Sequence, residues 1–410
     1  MQPSARAQAA SPERPWLFAF LIAPPSILAI GLVNGALAYL LRQQGIDPAR
    51  DADIVALLSI PHTIYFLWCP IADFGLRRRT WILAASAVAA ALVCAAFGPT
   101  SLASPTAIRL LFAGYCAVLL VAASCGGLMG DLKSERNRRR AGSFYQCGSL
   151  VFGGIVVFGL VSLAGHVPSL VLGIFLAALI VVPSLAAFAV PAGPPQPRQP
   201  FGATLVGIGH EFRRTFLRWD AIPYALLITM PMCSGAMIGL LPALAADFHV
   251  GAAQVAWMNG IAGILLTAAG SMAAALIPTR VRAPIAYLCA GLVNATTLAL
   301  LALGSQSPAI YFTATVAYLF SIGACYALFT GVVLEFLGGS GKSGGARYAL
   351  INSFGNLPVA YMSWVDGRGY AHWGARGMPG IDAALSAVVA SLLLVFFILR
   401  RQPMAAPAAI

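Results

Sequence analysis

Charge is what this chain has least of: Asp, Glu, Lys and Arg make up 9% of its 410 residues, where a soluble globular domain carries about a quarter. Lysine is nearly absent, two residues beside 23 arginines, and with alanine abundant this bias points to a GC-rich bacterial genome. No Cys-x-x-Cys pair occurs among the eight cysteines, all of which fall in apolar stretches, so they read as small packing residues with no disulfide framework and no metal site. The Ser, His and Asp residues that a nucleophilic site requires are scattered, and no His-x-x-x-His or paired carboxylates sit within an apolar run. Gly338-Gly-Ser-Gly-Lys-Ser343 lacks the first glycine of a phosphate loop, and no strand precedes it. These absences argue against an enzyme and against a resident cofactor. The net charge of +12 is dispersed among turns rather than gathered on one face, which removes the nucleic-acid reading and leaves anionic lipid headgroups as the partner of the cations.

What the chain does have is 60% hydrophobic residues, laid out in runs long enough to cross a bilayer at about 20 residues each. The runs predict an all-α membrane protein with twelve transmembrane helices: 16–41, 53–75, 80–98, 107–130, 141–164, 168–190, 221–246, 251–277, 284–303, 308–336, 346–365 and 381–399. Helices follow because backbone groups in lipid must bond within their own segment, and the alternating pattern of barrel strands is missing. Alternate connections hold 20 of the 25 basic residues, among them Arg77–Arg79, Arg136, Arg138–Arg140, Arg213, Arg214 and Arg218. Arg42, Arg50, Arg109, Arg368 and Arg376 lie on the other side. By the positive-inside rule both termini are cytoplasmic, with the chain in the bacterial inner membrane and the first helix retained rather than cleaved.

Pro191 to Pro200 is too rich in proline to be helical, and 201–219 mixes arginines with apolar residues as an amphipathic interfacial helix does. The chain divides there into 1–190, a linker of 191–220, and 221–410. The halves resemble each other: Leu21-Ile-Ala-Pro-Pro25 with Leu227-Ile-Thr-Met-Pro231, Val55-Ala56 with Val255-Ala256, and Tyr145-Gln-Cys-Gly-Ser-Leu150 with Asn352-Ser-Phe-Gly-Asn-Leu357. Two pseudo-symmetric six-helix bundles repeated in parallel about an axis along the membrane normal would place a binding site near midplane between them.

Leu67-Trp-Cys-Pro-Ile-Ala-Asp-Phe-Gly-Leu-Arg-Arg-Arg-Thr-Trp81 resembles the signature that major facilitator transporters carry after their second helix. Its Leu-Trp-x-Pro entry and Arg-Arg-Arg-x-Trp close, with Glu135-Arg136 and Ala346-Arg-Tyr-Ala-Leu350, are similar to the peptide and acetyl-coenzyme A transporter branch that includes the AmpG permeases. The chain departs from that branch at Tyr65-Phe66, where a lysine is usual, and at Ser124-Cys-Gly-Gly127, where acids are usual. The resemblance implies a permease working by alternating access as a monomer, importing a small polar or amphiphilic solute with protons as coupling ion. An exporter, a siderophore-type permease or a non-transporting membrane sensor of the same fold stands as the alternative. It also implies a cytoplasmic latch of Asp73, Arg77, Arg78 and Asp131.

For the translocation path the candidates are Asn34, Tyr145, Gln146, Asn259, Asn352 and Asn356, with Tyr318 and Tyr326 as aromatic walls. Asn352 and Asn356 share one helix face at a spacing of four. Amides of this kind also serve as interhelical hydrogen-bond partners, which is the competing reading. His62 is the only ionisable residue placed near midspan, where it would contribute to coupling or cargo binding, or else pack as a neutral ring beside Pro61.

Overall fold

The structure is a computed structural model. It describes residues 13–68, 71–72, 76–98, 101–130, 132, 135–190, 221–274, 276–278, 280–337, 351 and 353–399, with isolated positions between 202 and 219. The described residues are helical: α1 (Pro15–Gln43), α2 (Pro48–Thr63), α3 (Arg78–Ala96), α4 (Pro105–Gly130), α5 (Glu135–Leu163), α6 (Ser169–Ala189), α7 (Ile222–Thr229), α8 (Ala236–Leu244), α9 (Ala252–Ala274), α10 (Ala283–Leu303), α11 (Pro308–Leu337), α12 (Leu357–Trp373) and α13 (Gly377–Leu399). Among the described residues nine stretches are long and apolar enough to cross a membrane, the last, Ser353–Leu399, comprising both α12 and α13 with a turn at Gly374 (φ 65°) between them. Leu265, Met272, Leu303, Val388, Leu392 and Leu399 expose their side chains on the outside of the assembly, the arrangement expected where lipid rather than water is the solvent.

Helix ends follow local chemistry. Asp47 caps α2 by accepting a 3.0 Å hydrogen bond from Ala49 N, and Pro48 occupies the first turn, where no N–H is needed. α2 ends at Thr63, earlier than the 53–75 span anticipates, and passes into a 3-10 turn at Tyr65–Leu67. The span anticipated over 221–246 is two helices. Pro231 forces Met230 into the extended region (φ −80°, ψ 159°), after which Cys233 (φ 55°) and Gly235 (φ 78°) take left-handed conformations before α8 begins. At the other end of the chain, α12 continues past 365 to Trp373 and α13 starts at Gly377 rather than 381.

Among the described residues two helices carry π-helical stretches, Ile27–Ala36 in α1 and Ala256–Ala262 in α9. Pro24 and Pro25 precede the first, and each removes a backbone donor from the ladder. Glycines then let helices touch backbone to side chain: a Cβ on Gly31 would lie 2.5 Å from Val156 Cβ, so only glycine permits α1 to meet α5 this closely.

Within residues 15–189, α3 packs on α4 and α6, and α1 on α5; within 222–399, α10 packs on α11 and α13, and α9 on α11. Among the described residues four helix pairs cross between these sets: α1 with α8, α2 with α8, α2 with α12, and α5 with α9.

Candidate functional site

A cavity of about 300 Å³ lies between α5 on one side and α7, α10, α11 and the start of α12 on the other. Gln146 is its lining residue from α5. The α7–α8 break supplies Met232, Cys233 and Ser234; Tyr287, Tyr326, Phe329 and Thr330 form aromatic and hydroxyl walls; Gly355, Asn356 and Pro358 complete it. The break is where backbone groups leave the helical ladder, and such backbone is tolerated at membrane depth where it lines a cavity. Cys233 holds a positive φ without being glycine, a conformation that clusters at functional sites. Tyr361 of α12 steadies this break by donating to Thr229 O at 2.8 Å. No charged side chain is among the described lining residues.

The direction in which the cavity opens is read along α11. Tyr311, Tyr318 and Tyr326 are spaced by seven and eight residues and so share a face, yet they are 0%, 1% and 41% exposed. Tyr326 at the cavity is thus accessible, whereas Tyr311 and Tyr318, nearer the end carrying Arg42, Asp247 and Arg368, are buried.

That end is held shut by three devices. Arg42 Nη2 of α1 lies 3.3 Å from Asp247 Oδ1, beyond α8, and Tyr370 of α12 donates to the same carboxylate at 3.3 Å. Arg368 of α12 reaches Asp53 of α2 at 4.0 Å, which also faces Arg50 at 3.9 Å. Below these pairs glycines bring the helices together. A Cβ on Gly239 would stand 3.2 Å from Asn34 Cα, one on Gly367 2.6 Å from Ala52 Cβ, and Gly260 meets the backbone of Phe158.

Of the residues anticipated for the path, the structure gathers Gln146, Tyr326 and Asn356 at the cavity. Asn34 lies at the α1–α8 crossing instead. Asn259 donates to Val255 O at 3.3 Å and to the Tyr311 hydroxyl at 3.4 Å, an interhelical bond beside the π-helical stretch of α9. Tyr145 packs against the apolar cluster of Phe18, Leu21 and Ile82, and Tyr318 is buried behind the cavity wall. His62 occupies the last turn of α2, level with the middle of α4; its Nδ1 is 3.4 Å from the Tyr115 hydroxyl and its ring faces Tyr65 and Tyr115 edge-on. Asn352, Asp73 and Asp131 lie outside the described residues. Arg77 precedes α3, and the Arg78 guanidinium lies against Gly127 of α4, one turn before Asp131.

Three carboxylates escaped the sequence reading. Asp51, Asp366 and Asp382 are 0%, 0% and 3% exposed within α2, α12 and α13, so His62 is not alone as an ionisable group inside the helices. Span limits drawn at 365 and 381 left the two later acids at or beyond the edges, because a charged residue is itself what ends an apolar run. Gly367, Gly369, Gly377 and Gly380 around them were the available signal, since glycines at that density allow two helices to pack closely.

The sequence profile of the major facilitator superfamily matches residues 19–363, and the chain belongs to that family of secondary transporters. No curated protein matches the chain in sequence. Among solved structures the fold is similar to a POT family transporter in complex with a thioalcohol-conjugated peptide (TM-score 0.68, 12% identity, covering 95% of this chain and 96% of that one). It is similar also to a D-xylose–proton symporter (0.67, 15%, 92% and 95%) and to the nucleoside transporter NupG (0.67, 15%, 93% and 98%). At these identities the likeness is one of fold.

Proposed function

We propose that this transporter is a proton-coupled importer of a small polar or amphiphilic solute, placed in a bacterial inner membrane with both termini cytoplasmic and working as a monomer. Twelve crossings in two six-helix halves, 1–190 and 221–410 with the linker between, are part of this reading. The crossing contacts support it: α2 with α12 and α5 with α9 are the two equivalent pairs that an internal twofold would generate, with α1 and α8 at its axis. The arginine-rich end is then the cytoplasm, and the state described is inward-facing. The signature around Asp73 supports the AmpG-like branch, and a cavity of about 300 Å³ suits a small solute.

The observation that carries the reading is the exposure gradient along α11, a cavity open at one end and closed by ion pairs and glycine contacts at the other. Gln146 and Asn356 are the groups assigned to the cargo, offering amide donors and acceptors from opposite walls. His62, absent from the lining and held by Tyr115, is assigned to packing. A panel of nucleosides, monosaccharides and dipeptides added to the purified protein should contain a solute that raises its Tm, because binding to the folded state alone stabilises it. Gln146→Leu and Asn356→Leu should each remove that rise while the unliganded Tm stays near the parent's. An undiminished rise in both variants refutes the site. Reporter fusions within 191–200 should give a cytoplasmic signal; a periplasmic one refutes the two-half topology.

A further inference from the structure

The cavity does not use Asp366 and Asp382, although both are buried. Their helices meet through glycine: a Cβ on Gly369 would lie 2.5 Å from Gly377 O and 2.7 Å from Ile381 Cγ2. Asp366 sits one turn before Gly369 and Asp382 directly after Ile381, so this contact brings the two acids to one junction. Asp382 accepts a 2.9 Å hydrogen bond from Ser386 Oγ. Neither oxygen of Asp366 has a partner among the described residues, and neither reaches solvent.

The surrounding groups do not supply a cation. Arg368 points elsewhere, toward Asp53 and over the Trp364 ring at 5.1 Å. From α2 the nearby titratable groups are Asp53, already paired, and Asp51, itself buried without a partner. Beyond α8, Asp247 is occupied by Arg42 and Tyr370; Arg376 donates to Gly304 O. Tyr318 of α11 lies within electrostatic reach of both carboxylates, and Tyr361 of α12 and Cys233 of the α7–α8 break within reach of Asp382; none of the three is a cation. Two carboxylates in a dry interior cannot both be ionised without a counter-cation, and a protonated carboxyl is a donor where its neighbour is an acceptor.

We propose that Asp366 and Asp382 form a proton-binding site behind the cavity, and that its occupancy governs closure of the arginine-poor end. The coupling of the two follows from position. Asp366 adjoins Gly367, the residue through which α12 closes on Ala52 of α2. With the proton bound, Asp366 is neutral and its burial in the closed end costs little; with the proton lost, the carboxylate seeks water and favours opening. Rising pH therefore opens this end and falling pH closes it. The inference rests on the proton-coupled reading and names where the proton resides.

The test is infrared difference spectroscopy of the full chain in liposomes between acidic and alkaline buffer, with spin-label distances from Gln43 to Ala246 across the arginine-poor end. The parent should show a protonated-carboxyl band that disappears in alkali. Asp366→Asn should remove one component of that band and keep the distance short at both pH values, since asparagine mimics the neutral acid. Asp382→Asn should shift or remove the same component and Asp53→Asn should leave it in place, whereas Asp51→Asn should remove only a separate component of its own, because Asp51 is also buried without a partner. A band and a pH-dependent distance unchanged in both Asp366→Asn and Asp382→Asn overturn the site. An Asp366-dependent band, with no proton entry into the liposomes when the same nucleosides, monosaccharides and dipeptides are added, upholds the site and refutes proton-coupled import.

Discussion

Arg42→Glu should reduce transport at least tenfold while the protein still folds. Arg42 joins α1 to Asp247 across the closed end, and its side chain is 29% exposed. Losing such a partly solvated pair costs only about 1 kcal/mol or less. Reversal adds more, because it sets a glutamate beside Asp247 and near the buried Asp51, and like charges 4 Å apart repel by several kcal/mol at an effective dielectric of about 20. Each ~1.4 kcal/mol is a tenfold change in the balance of open and closed ends. The penalty falls on the closed state alone, since opening separates the charges. The double variant Arg42→Glu with Asp247→Arg restores opposite signs and should recover a substantial part of the flux. Equal loss in single and double variants would show that Arg42 acts within α1 and not across the interface.

Gly239→Trp should abolish transport by preventing closure. Even a methyl group at this position would stand 3.2 Å from Asn34 Cα and 3.5 Å from its carbonyl carbon, both backbone atoms that no rotamer change can move. Overpacking by small groups costs about 1–3 kcal/mol; an indole has no room and acts only when α1 and α8 are together. Inverting a 99:1 closed population requires about 5.5 kcal/mol, which the tryptophan should exceed and alanine should not. Uptake of whichever solute stabilises the parent should therefore fall to background in Gly239→Trp and remain measurable in Gly239→Ala.

Much of this architecture was written in the sequence, and the part that was not has a physical reason. The apolar runs locate most of the helices, but α2 starts at Pro48, ahead of the anticipated 53, and the anticipated span over 221–246 breaks into two helices around Pro231 and Gly235. Gln146 and Asn356 were legible as polar groups at corresponding places in the two halves, and they do meet at one cavity. Asn34, Asn259 and Tyr145 carry the same kind of chemistry but face helix crossings or an apolar cluster. Composition cannot separate these cases, because a helix apolar around its whole circumference has no stripe to tell inside from outside. Asp366 and Asp382 were obscured for the opposite reason: hydropathy ends a span at a charge, and these charges lie where the helices continue.

Alternating access demands that the two ends move in opposite senses, and paired distance measurements on one reconstituted protein test this most directly. Labels at Gln43 and Ala246 span the arginine-poor end; labels at Thr80 and Arg280 span the arginine-rich end. Between the parent and Gly239→Trp the first distance should lengthen and the second should shorten. A first distance that lengthens while the second stays fixed would mean that the ends open independently, and would contradict the account.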